Sequence, residues 1–348
     1  METLPKASSR KLSTLCVIVP GLNEGENLIA LYDELQRSLG GHHWALEVLF
    51  VDDGSTDNTL DICRQLHRRD PNFQYISLSR NFGHQRALTA GLDVVRGEAV
   101  VVMDADLQDP PSVVLEMIAV WEQGIDMVYG KRLTRDGETM MKKVTAKLFY
   151  QLLRHMTSTP IPEDTGDFRL MDRRVVLQLR RMREQARFLR GMVSWVGFSC
   201  QPVFYHRLPR QRGTTKYPFF RMLRFAWEGI TSFSAAPLRL ATVAGIGFSI
   251  MAFAMAGYYI LRQIIYQDFI KGWASVMVAI FLVGGLQLLF IGIVGEYLAK
   301  AFDELKDRPL YILAESSMAL DEGAGDLDST AFPLEVVPEP ERIRQNSR

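Results

Sequence analysis

The sequence is poor in cysteine and has no excess of either charge. Its 348 residues include 3 cysteines, none of them in a C-x-x-C pair, which argues against a disulfide framework and against a cysteine zinc site. The 40 Lys and Arg residues balance 40 Asp and Glu residues, so overall charge predicts no nucleic-acid partner. The first twelve residues contain no apolar run, and we therefore expect no cleavable signal peptide.

Charge is absent from two long stretches in the carboxyl-terminal third. Twenty-two uncharged residues follow Arg239 and twenty-four follow Lys271, and about 20 apolar helical residues span a bilayer. We predict two transmembrane helices, at about residues 240–261 and 272–295, in a hairpin that covers residues 236–298. Basic residues flank it on both sides, which predicts an integral protein of the inner (plasma) membrane with both termini in the cytoplasm. The alternative is two unusually apolar helices of a soluble domain.

The remaining charge is unevenly spread. Residues 168–224 hold fourteen Lys and Arg against two acids, whereas residues 314–348 hold eight acids against three Arg. Residues 218–235 mix Phe, Trp and Leu with Arg, which predicts a juxtamembrane amphipathic helix in the membrane interface. We expect disorder over residues 1–13 and in the acidic tail, residues 314–348, with a cytoplasmic segment at residues 299–313.

Apolar runs of strand length alternate with helical patterns in the amino-terminal half. The runs cover residues 15–19, 46–51, 73–78, 99–103 and 126–130, with amphipathic stretches such as 26–39 and 59–68 between them. This alternation predicts an α/β domain with a mostly parallel sheet. Ligands bind such a sheet at the carboxyl ends of its strands, so the residues after each run are candidates for function.

Carboxylates follow two of these runs. The first run is followed by PGLNEGEN, which has neither the Rossmann nor the P-loop glycine pattern. The second ends in VDDGSTDNT and the fourth in MDADLQDPP, where Asp104 and Asp106 lie on one side of an extended segment. Paired carboxylates suit Mg²⁺ or Mn²⁺. Such a cation would neutralise a leaving diphosphate, which predicts glycosyl or phosphoryl transfer.

Six motifs resemble those of a known enzyme family in their order and spacing. They are PGLNE, VDDGSTDNT, SRNFGHQRALTAGL, DADLQDPP, YGKR and DTGDFRLMDR. Together they resemble the family 2 glycosyltransferases of GT-A fold, and more narrowly the polyprenyl-phosphate glycosyltransferases, which include the GtrB-type bactoprenol glucosyltransferases and the dolichyl-phosphate mannose synthases. The resemblance implies a GT-A catalytic domain at residues 14–217 that transfers a hexose, glucose from UDP-glucose, to undecaprenyl phosphate with inversion. Glycines in the predicted spans permit close helix contact, and we expect a homo-oligomer.

The same resemblance assigns residues to the donor and to the metal. Leu22 stands where relatives often carry Tyr, so stacking on the nucleotide is not expected of this side chain. The residues implied for nucleotide-sugar binding are Pro20, Leu22, Glu24, Val51, Asp53, Asp104 and Ala105, and those implied for the metal are Asp104, Asp106 and Gln108.

The acceptor, a phosphate on a lipid tail, requires fixed positive charge at the membrane surface. The segment HRLPRQRGTTKYP resembles the R-x-x-G-x-[ST]-K-Y sequence of the family. The alternative is that these charges attract anionic headgroups without specificity. The candidates for acceptor-phosphate binding are Lys131, Arg132, Arg135, Arg207, Arg210, Arg212 and Lys216.

DTGDFRLMDR supplies Asp164 and Asp167 where the family has an acceptor-side carboxylate, and with Asp106 they are the candidate catalytic residues. A phosphate acceptor is already ionised near neutral pH, so we expect Asp167 to orient charge more than to abstract a proton. The structural alternative for Asp164 and for Asp167 is an ion pair with Arg169 or Arg173. His84 in NFGHQRA is assigned to a turn or a helix cap and not to catalysis.

Two other functions stay open at this point. The same chemistry could use another donor, GDP-mannose or a UDP-linked modified arabinose. A protein of a different class, a non-catalytic membrane-anchored scaffold that binds nucleotide sugars, would tolerate replacement of Asp106. A processive polysaccharide synthase is disfavoured because the chain has no Q-x-x-R-W motif and too few predicted spans for a polymer channel.

Overall fold

The computed structural model describes residues 10–133, 165–207, 236–266 and 272–318. The chain divides into two compact units. One comprises Met1–Met140, Ile161–Lys216 and Pro309–Arg348, and the other comprises Met141–Pro160 and Tyr217–Arg308. The juxtamembrane helix predicted at residues 218–235 lies outside the described residues.

The first unit is built on a mixed sheet. Its described strands are β1 (Thr14–Gly21), β2 (Ala45–Asp52), β3 (Phe73–Leu78), β4 (Ala99–Val102), β5 (Met127–Arg132), β6 (Thr165–Asp172), β7 (Cys200–Tyr205) and β8 (Leu313–Ser316). Their spatial order is β7-β5-β6-β4-β1-β2-β3-β8. β6 and β8 run antiparallel to their neighbours, and the other pairs are parallel. The predicted α/β domain with a mostly parallel sheet is confirmed.

Helices pack against this sheet. Those described in the first unit are α1 (Gly25–Leu39), α2 (Thr59–Arg69), α3 (His84–Val94), α4 (Val113–Glu122), α5 (Arg173–Arg181) and α6 (Leu189–Trp195). In α1, Leu28, Leu31 and Leu35 recur at helical spacing and join the buried core of the strands, as expected for an amphipathic helix. α5 begins where the Asp172 carboxylate accepts a hydrogen bond from the backbone N–H of Arg174, which makes Asp172 an N-cap.

The segment ahead of β1 corrects one expectation. Disorder is predicted for residues 1–13, but Arg10 donates a hydrogen bond to Asp126 at 2.8 Å and lies 3.0 Å from Asp172. Leu12 is buried. Residues 10–13 are therefore ordered, because an ion pair and a buried leucine fix them to the domain.

The start of the acidic tail corrects a second expectation. β8 pairs with β3 and forms one edge of the sheet. Glu315 accepts hydrogen bonds from Arg64 Nε at 2.9 Å and from Tyr75 Oη at 2.6 Å. The prediction of disorder from residue 314 onward is therefore wrong for residues 314–318. These residues are ordered because they pair with β3 and because residues of α2 and β3 hydrogen-bond to Glu315.

The second unit contains the long helices α7 (Ala236–Tyr266) and α8 (Trp273–Leu305), at the positions of the predicted spans. Large apolar side chains along both helices are exposed, among them Phe253, Leu288 and Leu298. By length and hydropathy, the described residues contain one candidate membrane span, Leu282–Leu305 with a mean hydropathy of 1.7, and a shorter apolar helix, Leu240–Met255. The two-span hairpin therefore stays a prediction.

Candidate active site

The ends of β1, β2, β4 and β5 reach one edge of the sheet because these strands run in the same direction. The antiparallel β6 begins at the same edge, since Thr165 pairs with Lys131 while Arg169, further along β6, pairs with Val102. The motifs that follow β1, β2, β4 and β5 therefore share this edge with the start of β6.

Hydrogen bonds join the turn after β1 to the turn after β2. Asn23, with a φ of 57°, accepts the backbone N–H of Thr56 at 2.8 Å, and its own N–H donates to Ser55 Oγ at 2.8 Å. Asp52 accepts the backbone N–H of Ser55 at 3.0 Å. Short polar side chains thus fix the shape of this part of the edge.

The residues predicted to bind the nucleotide have very different exposure. Leu22 and Glu24 lie in the turn after β1, and Leu22 is 38% exposed. Val51, paired with Pro20 in the sheet, has no exposed area, and Ala105 is 3% exposed. The side chains of Val51 and Ala105 belong to the core, so any contact they make with a ligand is limited to backbone atoms.

Asp53 is a buried carboxylate that shapes the turn ahead of α3. It accepts the backbone N–H groups of Phe82 at 2.8 Å and Gly83 at 2.9 Å. Burial raises the pKa of Asp53, and these two hydrogen bonds oppose the rise. Gly83 has a φ of 96°, a conformation that favours glycine. Asp53 therefore holds a turn, and its contact with a nucleotide stays a prediction.

The D-x-D motif follows β4. Asp104 and Asp106 are partly buried, and the Asp106 carboxylate accepts the backbone N–H of Gln108 at 3.2 Å. Burial raises the pKa of Asp104; His84 opposes the rise, and neighbouring carboxylates that include Asp167 add to it. A carboxylate in such surroundings is stabilised by an additional positive charge.

Asp167, by contrast, is surrounded by cations. Arg190 Nε lies 2.9 Å from its Oδ1 and Arg190 Nη2 lies 3.3 Å from its Oδ2, while Arg169 Nη2 lies 3.9 Å from Oδ1. Asp167 is 9% exposed and Arg169 is 6% exposed. Burial by itself raises the pKa of Asp167, but His84, Arg190 and Arg169 together hold it well below its usual range. The ion pair with Arg169, left open by the sequence, is present.

His84, the first residue of α3, lies between the two acidic motifs. Its Nε2 is 3.2 Å from Asp167 Oδ2 and 3.9 Å from Asp104 Oδ1. Burial lowers the pKa of His84, but the hydrogen bond with Asp167 and the charges of both carboxylates outweigh burial and raise it. Its assignment to a turn or a cap is therefore wrong, because the imidazole is engaged with the carboxylates of the site.

Basic residues lie at the ends of β5 and β7. Lys131 and Arg132 end β5, and Arg132 Nε donates to Tyr205 Oη at 3.4 Å. Tyr205 in turn donates to Asp109, and Arg207 Nε lies 3.7 Å from the same carboxylate. The structure thus links two of the predicted phosphate ligands, Arg132 and Arg207, through Tyr205 and the buried Asp109.

The remaining predicted site residues lie outside the described part of the chain. They are Arg135, Asp164, Arg210, Arg212 and Lys216. The sequence reasoning missed Asp109 and Arg190, and it named His84 but gave it a different role. His84 and Asp109 stand inside motifs quoted above and could have been found there, whereas Arg190 reaches the site from α6 without any local signal.

The donor atoms of the D-x-D motif suit a divalent cation. Among the described residues, no group of three or more His, Cys, Asp or Glu side chains is placed to hold a metal ion with protein ligands alone. Two carboxylates with the neighbouring Gln108 match the usual Mg²⁺ site, in which one or two carboxylates act together with substrate phosphates and water. The residues therefore fit Mg²⁺ or Mn²⁺ bound together with a diphosphate.

Known proteins resemble this chain over most of its length. Residues 16–180 match the family model described as glycosyl transferase family 2. The chain is 46% identical over 300 residues to the uncharacterized glycosyltransferase YkcC of Bacillus subtilis, covering 86% of this chain and 93% of the relative. It is 38% identical over 299 residues to a prophage bactoprenol glucosyl transferase homolog of Escherichia coli, covering 86% and 98%, and 37% identical over 302 residues to the bactoprenol glucosyl transferase of Shigella phage SfII, covering 87% and 98%. The chain therefore belongs to glycosyl transferase family 2 and is a glycosyltransferase of the GtrB type.

Proposed function

We propose that this enzyme transfers glucose from UDP-glucose to undecaprenyl phosphate, with inversion at the anomeric carbon, at the cytoplasmic face of the inner membrane. The relatives named as bactoprenol glucosyl transferases support this sugar and this acceptor. The observation that carries the proposal is the shared sheet edge, where Asp104 and Asp167 flank His84 beside the basic ends of β5 and β7. Transfer between two anions requires charge stabilisation of this kind.

On the donor side, Asp104, Asp106 and Gln108 are the proposed ligands of Mg²⁺ or Mn²⁺. When bound, the cation supplies Lewis-acid stabilisation of the departing diphosphate. The surroundings of Asp104 disfavour its own negative charge, so a nearby cation would stabilise its ionised form. Leu22, partly exposed after β1, offers the nucleotide an apolar contact in place of a stacked ring.

On the acceptor side, no general base is required. The phosphate oxygen that attacks the sugar is already ionised near neutral pH, so it loses no proton in the step. Asp167 is also poorly suited to abstract a proton, because Arg190 and His84 engage its carboxylate oxygens. We assign Asp167 the role of orienting these groups, and Asp164 stays a candidate catalytic residue on the basis of the sequence alone.

Basic side chains are the proposed site of the acceptor phosphate. Guanidinium groups stay charged and bind two phosphate oxygens at once. Asp109 lies 3.7 Å from Arg207 Nε and holds that side chain at the edge of the sheet. The proposed phosphate ligands are Lys131, Arg132 and Arg207, with Arg135, Arg210, Arg212 and Lys216 as further candidates from the sequence.

The lipid acceptor requires access from a membrane. We propose that α7 and α8 both cross the bilayer, that residues 218–235 lie in its interface, and that both termini are cytoplasmic. The exposed apolar side chains of both helices support membrane contact. The span Leu282–Leu305 supports a crossing by α8.

A transfer assay with full-length protein in detergent tests this function. The protein is incubated with Mg²⁺ or Mn²⁺, undecaprenyl phosphate and, in separate reactions, radiolabelled UDP-glucose, GDP-mannose or a UDP-linked arabinose. We expect metal-dependent label in the organic-extractable lipid from UDP-glucose only. Asp106→Ala abolishes this label, whereas the matched control Asp33→Ala, exposed on α1, retains it.

The other outcomes are equally informative. Label from a different donor would replace glucose by that sugar. Absence of label from every donor, in folded protein that binds UDP, would favour the non-catalytic scaffold.

A further inference from the structure

His84 reaches both acidic motifs of the site from a third element. Asp104 follows β4 and Asp167 lies in β6, and these two strands pair directly. The imidazole comes from α3, and its Nε2 lies 3.2 Å from Asp167 and 3.9 Å from Asp104. One side chain therefore connects the proposed donor side to the proposed acceptor side.

The start of α3 is itself held in place on two sides. The Asp53 carboxylate accepts the N–H of Gly83 at 2.9 Å, which fixes the turn before the helix. The side-chain oxygen of Gln85 accepts the backbone N–H of Leu189 at 3.0 Å, which fastens α3 to α6 beside Arg190. The imidazole thus projects from a backbone that the protein restrains.

We propose that His84 is a positioning residue for the transfer reaction, which donates its Nε2–H to Asp167 and sets the place of this carboxylate relative to Asp104. Nε2 carries the proton because an ionised carboxylate only accepts hydrogen bonds. The inference rests on the proposed function, which assigns Asp104 to the donor and Asp167 to the acceptor.

His84 acts through Asp167 and not on the reacting atoms. Arg190 binds Asp167 through both oxygens, and His84 adds a second contact to Oδ2. Without the imidazole, Asp167 and Arg190 can shift together away from the D-x-D motif. Since a displacement of about 1 Å can slow a reaction about 100-fold, His84 affects turnover more than donor binding.

Four full-length variants in detergent test the proposal. His84→Leu removes the hydrogen-bond donor, and His84→Gln restores an N–H at a similar reach. Asp167→Asn and the double variant His84→Leu/Asp167→Asn complete a double-mutant cycle, which measures the coupling between the two residues. The measurements are kcat for lipid glycosylation, with the donor that the wild type uses, and the Kd of UDP in the presence of Mn²⁺. His43→Leu, exposed ahead of β2, is the matched control and should behave as the wild type.

We expect His84→Leu to lower kcat about 10- to 100-fold while the Kd of UDP changes little, and His84→Gln to recover most of the loss. The double variant should be no slower than Asp167→Asn alone, because residues that act through one another are not additive.

Two results would overturn the proposal: losses that multiply in the double variant, or His84→Gln being as slow as His84→Leu. If Asp167→Asn does not fold, the comparison of kcat between His84→Gln and His84→Leu tests the proposal by itself. Failure of the proposed function is seen separately, as no transfer by the wild type.

Discussion

Asp104 and Asp167 lie on either side of His84, yet their surroundings are opposite. Asp167 is engaged by Arg190, Arg169 and His84, which hold its pKa well below the usual range despite burial. Burial and the neighbouring carboxylates raise the pKa of Asp104, and the charge of His84 opposes this rise. The charge of Asp167 is already neutralised by the protein, whereas Asp104 is still stabilised by an added cation.

This difference assigns separate roles to two residues of the same type. A carboxylate whose countercharges come from the protein is part of its structure and orients its partners. A carboxylate whose neighbours are also acidic is suited to bind a metal ion that comes with the substrate. The roles follow from neighbours that β6, α3 and α6 bring to the end of β4.

Removal of the Asp167 charge has the largest expected effect. Asp167→Asn leaves Arg169, 6% exposed, without its carboxylate partner, and breaking a buried ion pair costs about 3–5 kcal/mol. We expect a clear fall in the Tm of the detergent-solubilised protein at pH 7, with unfolding monitored by intrinsic fluorescence. Because the folded pKa of Asp167 lies below the unfolded value, the difference from wild type is full at neutral pH and closes only in acid. An unchanged Tm would contradict the neutralised state of Asp167.

Replacement of Asp104 removes the carboxylate proposed to bind the metal ion. Asp104→Asn should slow transfer about 100-fold or more, the scale of losing a charge-stabilising group in a transition state. Its Tm in metal-free buffer should equal or exceed that of the wild type. The folded pKa of Asp104 is raised, so the folded state disfavours the ionised form above the ordinary pKa, and the neutral amide removes this cost. A drop in Tm as large as that of Asp167→Asn would show that both carboxylates have the same role.

Replacement of a basic residue distinguishes binding of the acceptor from binding of the donor. Arg207→Ala should raise the KM for undecaprenyl phosphate about tenfold, the equivalent of one hydrogen bond to a charged group, and should leave the KM for the sugar nucleotide unchanged. Arg37→Ala removes an exposed Arg from α1 and serves as the matched control. An equal change in both KM values would remove Arg207 from the acceptor site.

The smallest effect is expected far from the site, at β8. The hydrogen bond from Arg64 holds the pKa of Glu315 below its usual value, against burial. Glu315→Gln should cost about 0.5–1 kcal/mol, since both partners are partly exposed. The loss is present at pH 7 and disappears as the pH falls below about 4, where the wild-type carboxyl also protonates. Thermal unfolding at the two pH values measures it, and a difference that persists in acid would contradict the ion pair.

Much of the fold could be predicted because its signals are local. β1 to β4 are mostly apolar runs of strand length, and each is followed by a polar turn, so the sheet and its functional edge could be predicted from periodicity. β8 could not be predicted in this way. It is a short strand with an acidic residue, and the side-chain hydrogen bond between its Glu315 and Tyr75 joins residues that are 240 positions apart.

In the candidate site, too, local motifs could be predicted from the sequence and long-range contacts could not. Asp104 and Asp106 could be predicted, because they follow a strand in a recognisable motif. The contacts of His84 and Arg190 with Asp167 could not, because they depend on an antiparallel β6 inserted between β4 and β5. No local pattern encodes that insertion, which brings residues 84, 167 and 190 together.

Mn²⁺ binding, followed by electron paramagnetic resonance in the presence of UDP, tests most directly whether Asp104 and Asp167 have separate roles. The wild type, Asp104→Asn and Asp167→Asn are compared as full-length proteins, each verified to be folded. We expect Asp104→Asn to lose the bound Mn²⁺ signal at a concentration that saturates the wild type, and Asp167→Asn to keep it. Loss of Mn²⁺ with Asp167→Asn and its retention with Asp104→Asn would contradict the separate roles of the two carboxylates.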